Sequence, residues 1–327
     1  MTRTVVTSGR LDDEPTVTLQ HGASQLVVAL RGATILRWVV DLGEGAVDLL
    51  DGYRDADELR SQDGIRNGIM APFCDRVAGA AYVFDGQEYD LLPGSTSRLV
   101  YHGLVRSMPF TLDIVEAGDD GLAATFSCHG LSDLPHPGYP FPVDVDVTYR
   151  LGPASLGVQI DGHNRGTAPA PFASGWHPYF RLPGAATVDE LHLRVAASTR
   201  VETDAALIPL PGQDAYCAIG PDEARWEPIG DAVLDVGYLA DGPAILRSPS
   251  SGVELTLTQD SGLVHVFTGD TIARDRRRAI AVEPVESLTD AFNRPDCAAA
   301  IRLEPGARRT FGATVTVTRA ASTDSAD

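Results

Sequence analysis

Two residues far apart in this sequence have the chemistry and the setting for moving protons: a histidine and a glutamate. His177 lies in Ala168-Pro169-Ala170-Pro171-Phe172-Ala173-Ser174-Gly175-Trp176-His177-Pro178-Tyr179-Phe180. A proline disfavours the α region for the residue before it. His177 therefore belongs to a strand end or a loop, where its imidazole can be aimed. Glu283 follows the apolar run Ala279-Ile280-Ala281-Val282 and precedes Pro284. That reads as an acid at the end of a buried strand, poised at a sheet rim. Burial disfavours its charge and a nearby cation restores it. A modestly desolvated carboxyl and an imidazole are a workable base and acid near neutral pH. Each also has an ordinary structural explanation: a hydrogen-bonded histidine in an aromatic core, or a rim carboxylate paired with arginine.

Other side chains could complete a site. His102 sits between Tyr101 and Gly103; glycine there permits close approach of the backbone to a ligand, and the alternative is a turn in solvent. Arg76 follows Pro72-Phe73-Cys74-Asp75 and could fork onto hydroxyls or hold a carboxylate. Asp235, in Leu234-Asp235-Val236-Gly237-Tyr238, could accept two hydroxyls or cap a turn. Trp176, Tyr179 and Phe180 are large apolar bodies, two with polar tips. A sugar ring suits such a pocket, because its C–H faces stack on aromatics and its hydroxyls need donors and acceptors. Arg274, Arg276, Arg277 and Arg278 form a basic cluster that could hold phosphate, although a charge run is usually a solvated loop. His129, His136, His163 and His177 lack metal-ligand spacing. There is no GxSxG and no glycine-rich phosphate loop. No metal and no cofactor are expected.

The elements that must position these groups are mostly short strands. Apolar and β-branched runs at 25–30, 34–40, 110–115, 122–126, 156–160, 190–195, 252–258, 264–268, 279–282 and 310–317 are separated by turn residues. Val143-Asp144-Val145-Asp146-Val147-Thr148-Tyr149 alternates as a half-buried strand does, and 156–160 is its expected partner. Asp85-Gly86 between Tyr82-Val83-Phe84 and Gln87-Glu88-Tyr89 predicts a hairpin with a tight primed turn. Residues 52–64 predict a short helix or loop, 285–293 a helical stretch, and 320–327 a frayed tail. Strands without alternating helices imply a large antiparallel β-sandwich. No linker or repeat divides the chain, so one domain is expected over residues 1–327.

Bulk composition narrows the partners. The 327 residues carry a formal net charge of -19, which argues against nucleic acid and anionic membrane. All 26 basic residues are arginine, so lysine Schiff-base chemistry is excluded. Cys74, Cys128, Cys217 and Cys297 are scattered without a CxxC, as in reduced, cytoplasmic proteins. No leader-like apolar segment and no membrane-length apolar run is present.

With these residues placed, the chain resembles the aldose 1-epimerase (mutarotase) family. Pro72-Phe73-Cys74-Asp75-Arg76, Asp85-Gly86 with Tyr89 and Leu91, His102-Gly103, Gly175-Trp176-His177-Pro178-Tyr179-Phe180, Leu234-Asp235, Glu283-Pro284 with Ala291-Phe292-Asn293, and Leu303-Glu304-Pro305-Gly306 carry the match in the family's order, over about residues 20–318. The resemblance implies a galactose mutarotase-like sandwich with the sugar in a cleft on a concave sheet face. It implies Glu283 as general base, His177 as general acid, His102 with them in the catalytic set as a sugar contact, Arg76 as a further sugar contact and Asp235 as a sugar-binding carboxylate. Asp75 stands where the family often has asparagine. Leu104-Val105-Arg106 follows the His-Gly pair in place of another glycine, which is similar to the hexose-6-phosphate 1-epimerase branch.

The expected chemistry is ring opening and closure of a cyclic aldose. Glu283, ionised, takes the anomeric hydroxyl proton. His177, as imidazolium on the opposite side of the acetal, protonates the ring oxygen. The aldehyde rotates and closes on its other face. The alternatives are the same chemistry on a sugar phosphate, a sugar-binding or regulatory protein without turnover, and a glycosidase or lyase using Glu283 with Asp235.

Overall fold

The computed structural model describes residues 3–320. The tail expected over 320–327 therefore lies, past Ala320, outside the described residues. The predicted strands form, often extended by a few residues: Ser24–Ala29, Ile35–Asp41, Thr111–Ala117, Leu122–Cys128, Val143–Leu151, Ser155–Asn164, His192–Val201, Val253–Gln259, Leu263–Phe267, Ile280–Val285 and Arg308–Arg319. The hairpin turn at Asp85-Gly86 has φ of 50° and 78°, the left-handed pair that a type I′ turn demands. Val143–Leu151 pairs with Ser155–Asn164 as expected.

Among the described residues the strands gather into a five-stranded sheet from Thr4 to Asp48, a fifteen-stranded sheet, and two two-stranded ones. The ladders that build the two main sheets run antiparallel. The five-stranded sheet packs through Glu14–His21 and Ser24–Ala29 onto Leu122–Cys128 and Val143–Leu151. Leu19, Leu26, Val28, Trp38, Phe126, Val145 and Tyr149 are fully buried, each large aliphatic contributing about 1.5–3 kcal/mol of burial. One apolar cluster runs from Val17 to Val317.

One expectation is met and one changes. Residues 52–64 hold the helix Ala56–Ser61, capped by the Asp55 carboxylate accepting from the Glu58 amide at 2.8 Å. Residues 285–293 are not a helix: the strand Ile280–Val285 occupies the start, and only the short 3-10 turn Ala291–Asn293 forms. Asp290 is left-handed, with φ 61°, and its carboxylate accepts from the Ala78 amide at 2.9 Å and Asn293 Nδ2 at 2.7 Å. These bonds pin the segment to the 76–80 loop.

Candidate active site

Five neighbouring strands of the large sheet carry the site, in the order Gly68–Met70, Gly175–His177, Ile280–Val285, Leu263–Phe267 and Asp235–Arg247. Their registers align one row of residues. His177 pairs with Gly68, and His265 pairs on its two sides with Glu283 and Gly237. The register Gly175↔Val285 and Tyr179↔Ala281 sets His177 opposite Glu283. Directly opposed residues share a face and nearly touch. The row is thus Gly68, His177, Glu283, His265, Gly237, with a residue lacking a side chain at each end. Asp235 is diagonal to His265 in the same register.

His177 Nε2 stands 3.3 Å from Glu283 Oε1, and both side chains are buried. Sequence reasoning placed Glu283 at a strand end; it lies inside the strand, and Pro284 continues it opposite Val264. Pro284 and Pro178 both lack an N–H, which thins the ladder between these two strands. The two side chains stand side by side on one wall of the cavity.

The alternation at 176–180 separates its aromatics. Trp176 and Phe180 meet edge to face in the core, 6.0 Å between centroids, so they do not line the cavity as expected. Tyr179 does, stacking on His177 at 5.1 Å and 12°. Its amide is fixed by Asn67 Oδ1 at 2.9 Å, and Arg66 lies over its ring at 5.2 Å. The Tyr179 hydroxyl and His177 Nδ1 are buried and have no protein partner among the described residues.

His102 meets the edge of His177 at 4.9 Å, and its Nδ1 lies 3.0 Å from Met70 Sδ. Gly103 makes this possible in a different way from the one expected. Its φ is +71° and a Cβ there would lie 2.2 Å from the Ala71 carbonyl oxygen, so the close approach is to backbone. The Leu104 and Val105 amides donate to that same oxygen. Arg76 Nη1 donates to Asp75 Oδ1 at 2.8 Å, and the Thr289 hydroxyl holds the other Asp75 oxygen. Asp235 Oδ1 is 2.8 Å from His265 Nε2.

His177, His102, Arg76, Asp235 and Glu283 all line one cavity of about 300 Å³, with Asp63, Asp75, Tyr101, Tyr179, His265 and Phe267. The structure brings these five sequence-predicted residues together. A larger cavity of about 660 Å³, bordered by Arg274, Asp275 and Arg278, holds none of them. Arg106 is bound to the Gln62 side chain, Arg274 to Asp51, Glu58 and Asp275, and Arg277 to Asp189 and Asp270. None of the arginines singled out for phosphate lines the His177 cavity. Among the described residues no group of three or more His, Cys, Asp or Glu is arranged to hold a metal.

Sequence reasoning missed His265. The signal was available: a lone histidine on the alternating strand Leu263-Val264-His265-Val266-Phe267, whose odd positions after Leu263 turn toward the cavity.

Burial dominates the electrostatics of the site. Burial holds Glu283 protonated more readily than usual, up to about 8; His265 and Arg76 oppose this, while Asp75 and Asp235 add to it. Burial also pushes His177 well below the usual histidine value, helped by His102 and His265. His102 is lowered by burial and by Arg76 and Arg106. The first two shifts favour a protonated Glu283 and a neutral His177 over an ionised glutamate beside an imidazolium. Burial pulls His265 down too, but the Asp235 hydrogen bond and the Glu283, Asp75 and Asp235 charges outweigh it and lift it to about 9.

Comparison with known proteins agrees with this architecture. The aldose 1-epimerase family model matches residues 15–316. Escherichia coli K12 YphB is 25% identical over 317 residues, 88% of this chain and 94% of its own. YihR from the same organism is 25% identical over 230 residues, 69% of this chain and 71% of its own. The galactose 1-epimerase structure from Lactobacillus acidophilus superposes with a TM-score of 0.80 at 14% identity, covering 98% of this chain and 100% of that one, a likeness of fold. With the match spanning nearly the whole sandwich, the chain belongs to the aldose 1-epimerase family.

Proposed function

We propose that the protein is a cofactor-independent isomerase that interconverts the α and β anomers of a free hexose by opening and closing its ring. The observation that carries this reading is the buried His177–Glu283 contact at 3.3 Å on the wall of a monosaccharide-sized cavity. A hemiacetal carbon bears both of the oxygens that exchange protons. Acid and base must therefore be adjacent, as these two are. One member of the pair removes the anomeric hydroxyl proton while the other protonates the ring oxygen, and the C1–ring oxygen bond breaks. The aldehyde turns and closes with the roles exchanged. Each direction begins and ends with one proton on the pair, so the resting form and the Glu283-base form differ only in where that proton sits. The pair titrates as a unit, which predicts a bell-shaped pH profile.

Arg76 and the free oxygen of Asp235 hold ring hydroxyls, and Tyr179 backs His177 in place. His102 fixes the other edge of the His177 ring. An unphosphorylated sugar is favoured by charge: Asp63, Asp75 and Asp235 line the cavity against Arg76 and His265, a poor setting for a dianion. The test is anomer exchange by saturation-transfer NMR across free and phosphorylated aldoses. Exchange of a free hexose supports the reading. Exchange confined to phosphorylated sugars, or none with any aldose, rejects it, and release of nitrophenol from aryl glycosides would point to hydrolysis instead.

A further inference from the structure

The proposed reaction uses His177 and Glu283 and leaves His265 without a task. The fold nevertheless gives His265 a position equivalent to that of His177, on the other side of Glu283. The strand pairing places it directly opposite Glu283. Gly237 stands opposite it on the next strand. Asp235, diagonal on that same strand, takes its Nε2 at 2.8 Å. The other charged and titratable groups facing it are Glu283 from Ile280–Val285, Asp75 and Arg76 from the loop after Gly68–Met70, and His102, His177, Tyr101, Tyr179 and Asp63 around the cavity; Cys74 borders its inner side.

Those surroundings define a charge problem. Asp75, Asp235 and Glu283 are three carboxylates close together, and Asp75 already engages Arg76. Without a second cation, an ionised Glu283 would sit in an unfavourable negative field. From the register and the contacts we infer that His265 is a positioning residue: clamped by Asp235 and set against Glu283, it presents an imidazolium that keeps the Glu283 carboxylate available as a base. Asp235 thereby acquires two tasks, one oxygen fixing His265 and the other facing the cavity. The inference fits the upward displacement of His265 by the same carboxylates and the opposing effect of His265 on Glu283. It rests on the proposed function only for its catalytic consequence, since the charge on His265 is a property of the protein alone.

The first measurement uses the native protein without sugar. Imidazole ¹⁵N shifts should show both ring nitrogens of His265 protonated at neutral pH; a neutral tautomer there overturns the inference. The second follows the ¹³C carboxyl of Glu283, assigned by its loss in E283Q. In H265Q its titration should move to higher pH by about one unit, the order expected for removing one nearby charge; an unmoved titration overturns the inference. The third is the pH profile of anomer exchange. H265Q should lose kcat/KM by about tenfold on the acid limb and regain it in the alkaline range, whereas an equal loss at every pH marks a merely structural histidine and overturns the role. Should the native protein exchange no aldose, the proposed function falls while the two resonance measurements still decide the charge state of His265.

Discussion

At the residue scale, the site consists of a few polar side chains whose behaviour is set by burial. A glutamate and two histidines removed from water lose the solvation of their charged forms, so Glu283 rises and His102 and His177 fall. Only His265, with Asp235 bound to it, moves the other way. In the proposed mechanism this division of charge leaves the pair one proton to pass between its members. We expect E283Q and H177N each to reduce anomer exchange by at least about 10²-fold, the usual weight of one positioned acid or base. The check is kcat measured at the pH optimum of the native enzyme, and near-native turnover in either variant would remove that residue from the mechanism. Because the two act on one proton, the double variant should lose little more than the worse single one.

At the element scale, positioning depends on how turns bring the loops against the strands. The His102-Gly103 turn is pressed onto the Ala71 carbonyl, and both residues are left-handed, with φ of 58° and 71°. An alanine at 103 is strained by its φ and has no space for its Cβ. G103A should cost about 1–3 kcal/mol of stability and lower exchange, because His102 would leave the edge of His177. Gly86 is the control: its φ is +78° but nothing lies within 4 Å of a Cβ. G86A should cost about 1 kcal/mol and leave exchange intact. Urea unfolding midpoints of both variants, with exchange rates, test this; equal costs would mean that the Ala71 contact is not what holds the turn.

At the scale of the whole molecule, the site is tied to both sheets. Asn67, fully buried, donates to the Ile35 and Asp51 carbonyls at 3.1 and 3.3 Å and accepts from the Tyr179 amide. It thus links the five-stranded sheet to the strand behind His177. N67A leaves those backbone groups unpaired and should cost about 1–3 kcal/mol, with a fall in exchange, measured by thermal unfolding and by NMR. Global stability should also report the buried charges. His265 is raised to about 9, so its contribution is fully present below the ordinary histidine value of 6.5 and is lost as pH rises through about 9. Glu283, raised to about 8, contributes most below its ordinary 4.5 and loses that contribution as pH rises to about 8. His102 and His177, lowered, contribute above 6.5 and lose it as pH falls toward their folded values. Above 6.5 the two losses act together, so Tm should be higher at pH 6.5 than at pH 9; calorimetry giving equal values would contradict the charge states assigned here.

The amino-acid order alone determined the fold class, most strand positions, the Asp85-Gly86 turn and five residues that line the candidate cavity. The strands and the turn are local properties, alternation and turn chemistry; His177 and Glu283 each precede a proline, and the resemblance to the family singled out Arg76, His102 and Asp235 beside them. The row that makes the site, Gly68, His177, Glu283, His265 and Gly237, is a property of register between strands that are distant in sequence. Register is settled by packing across the sheet, so His265 stood in the sequence as one more histidine in an apolar strand. The same holds for the proton. Which of Glu283 and His177 carries it depends on how deeply each is buried and on which charges face it, and only the folded chain brings those groups within reach of one another.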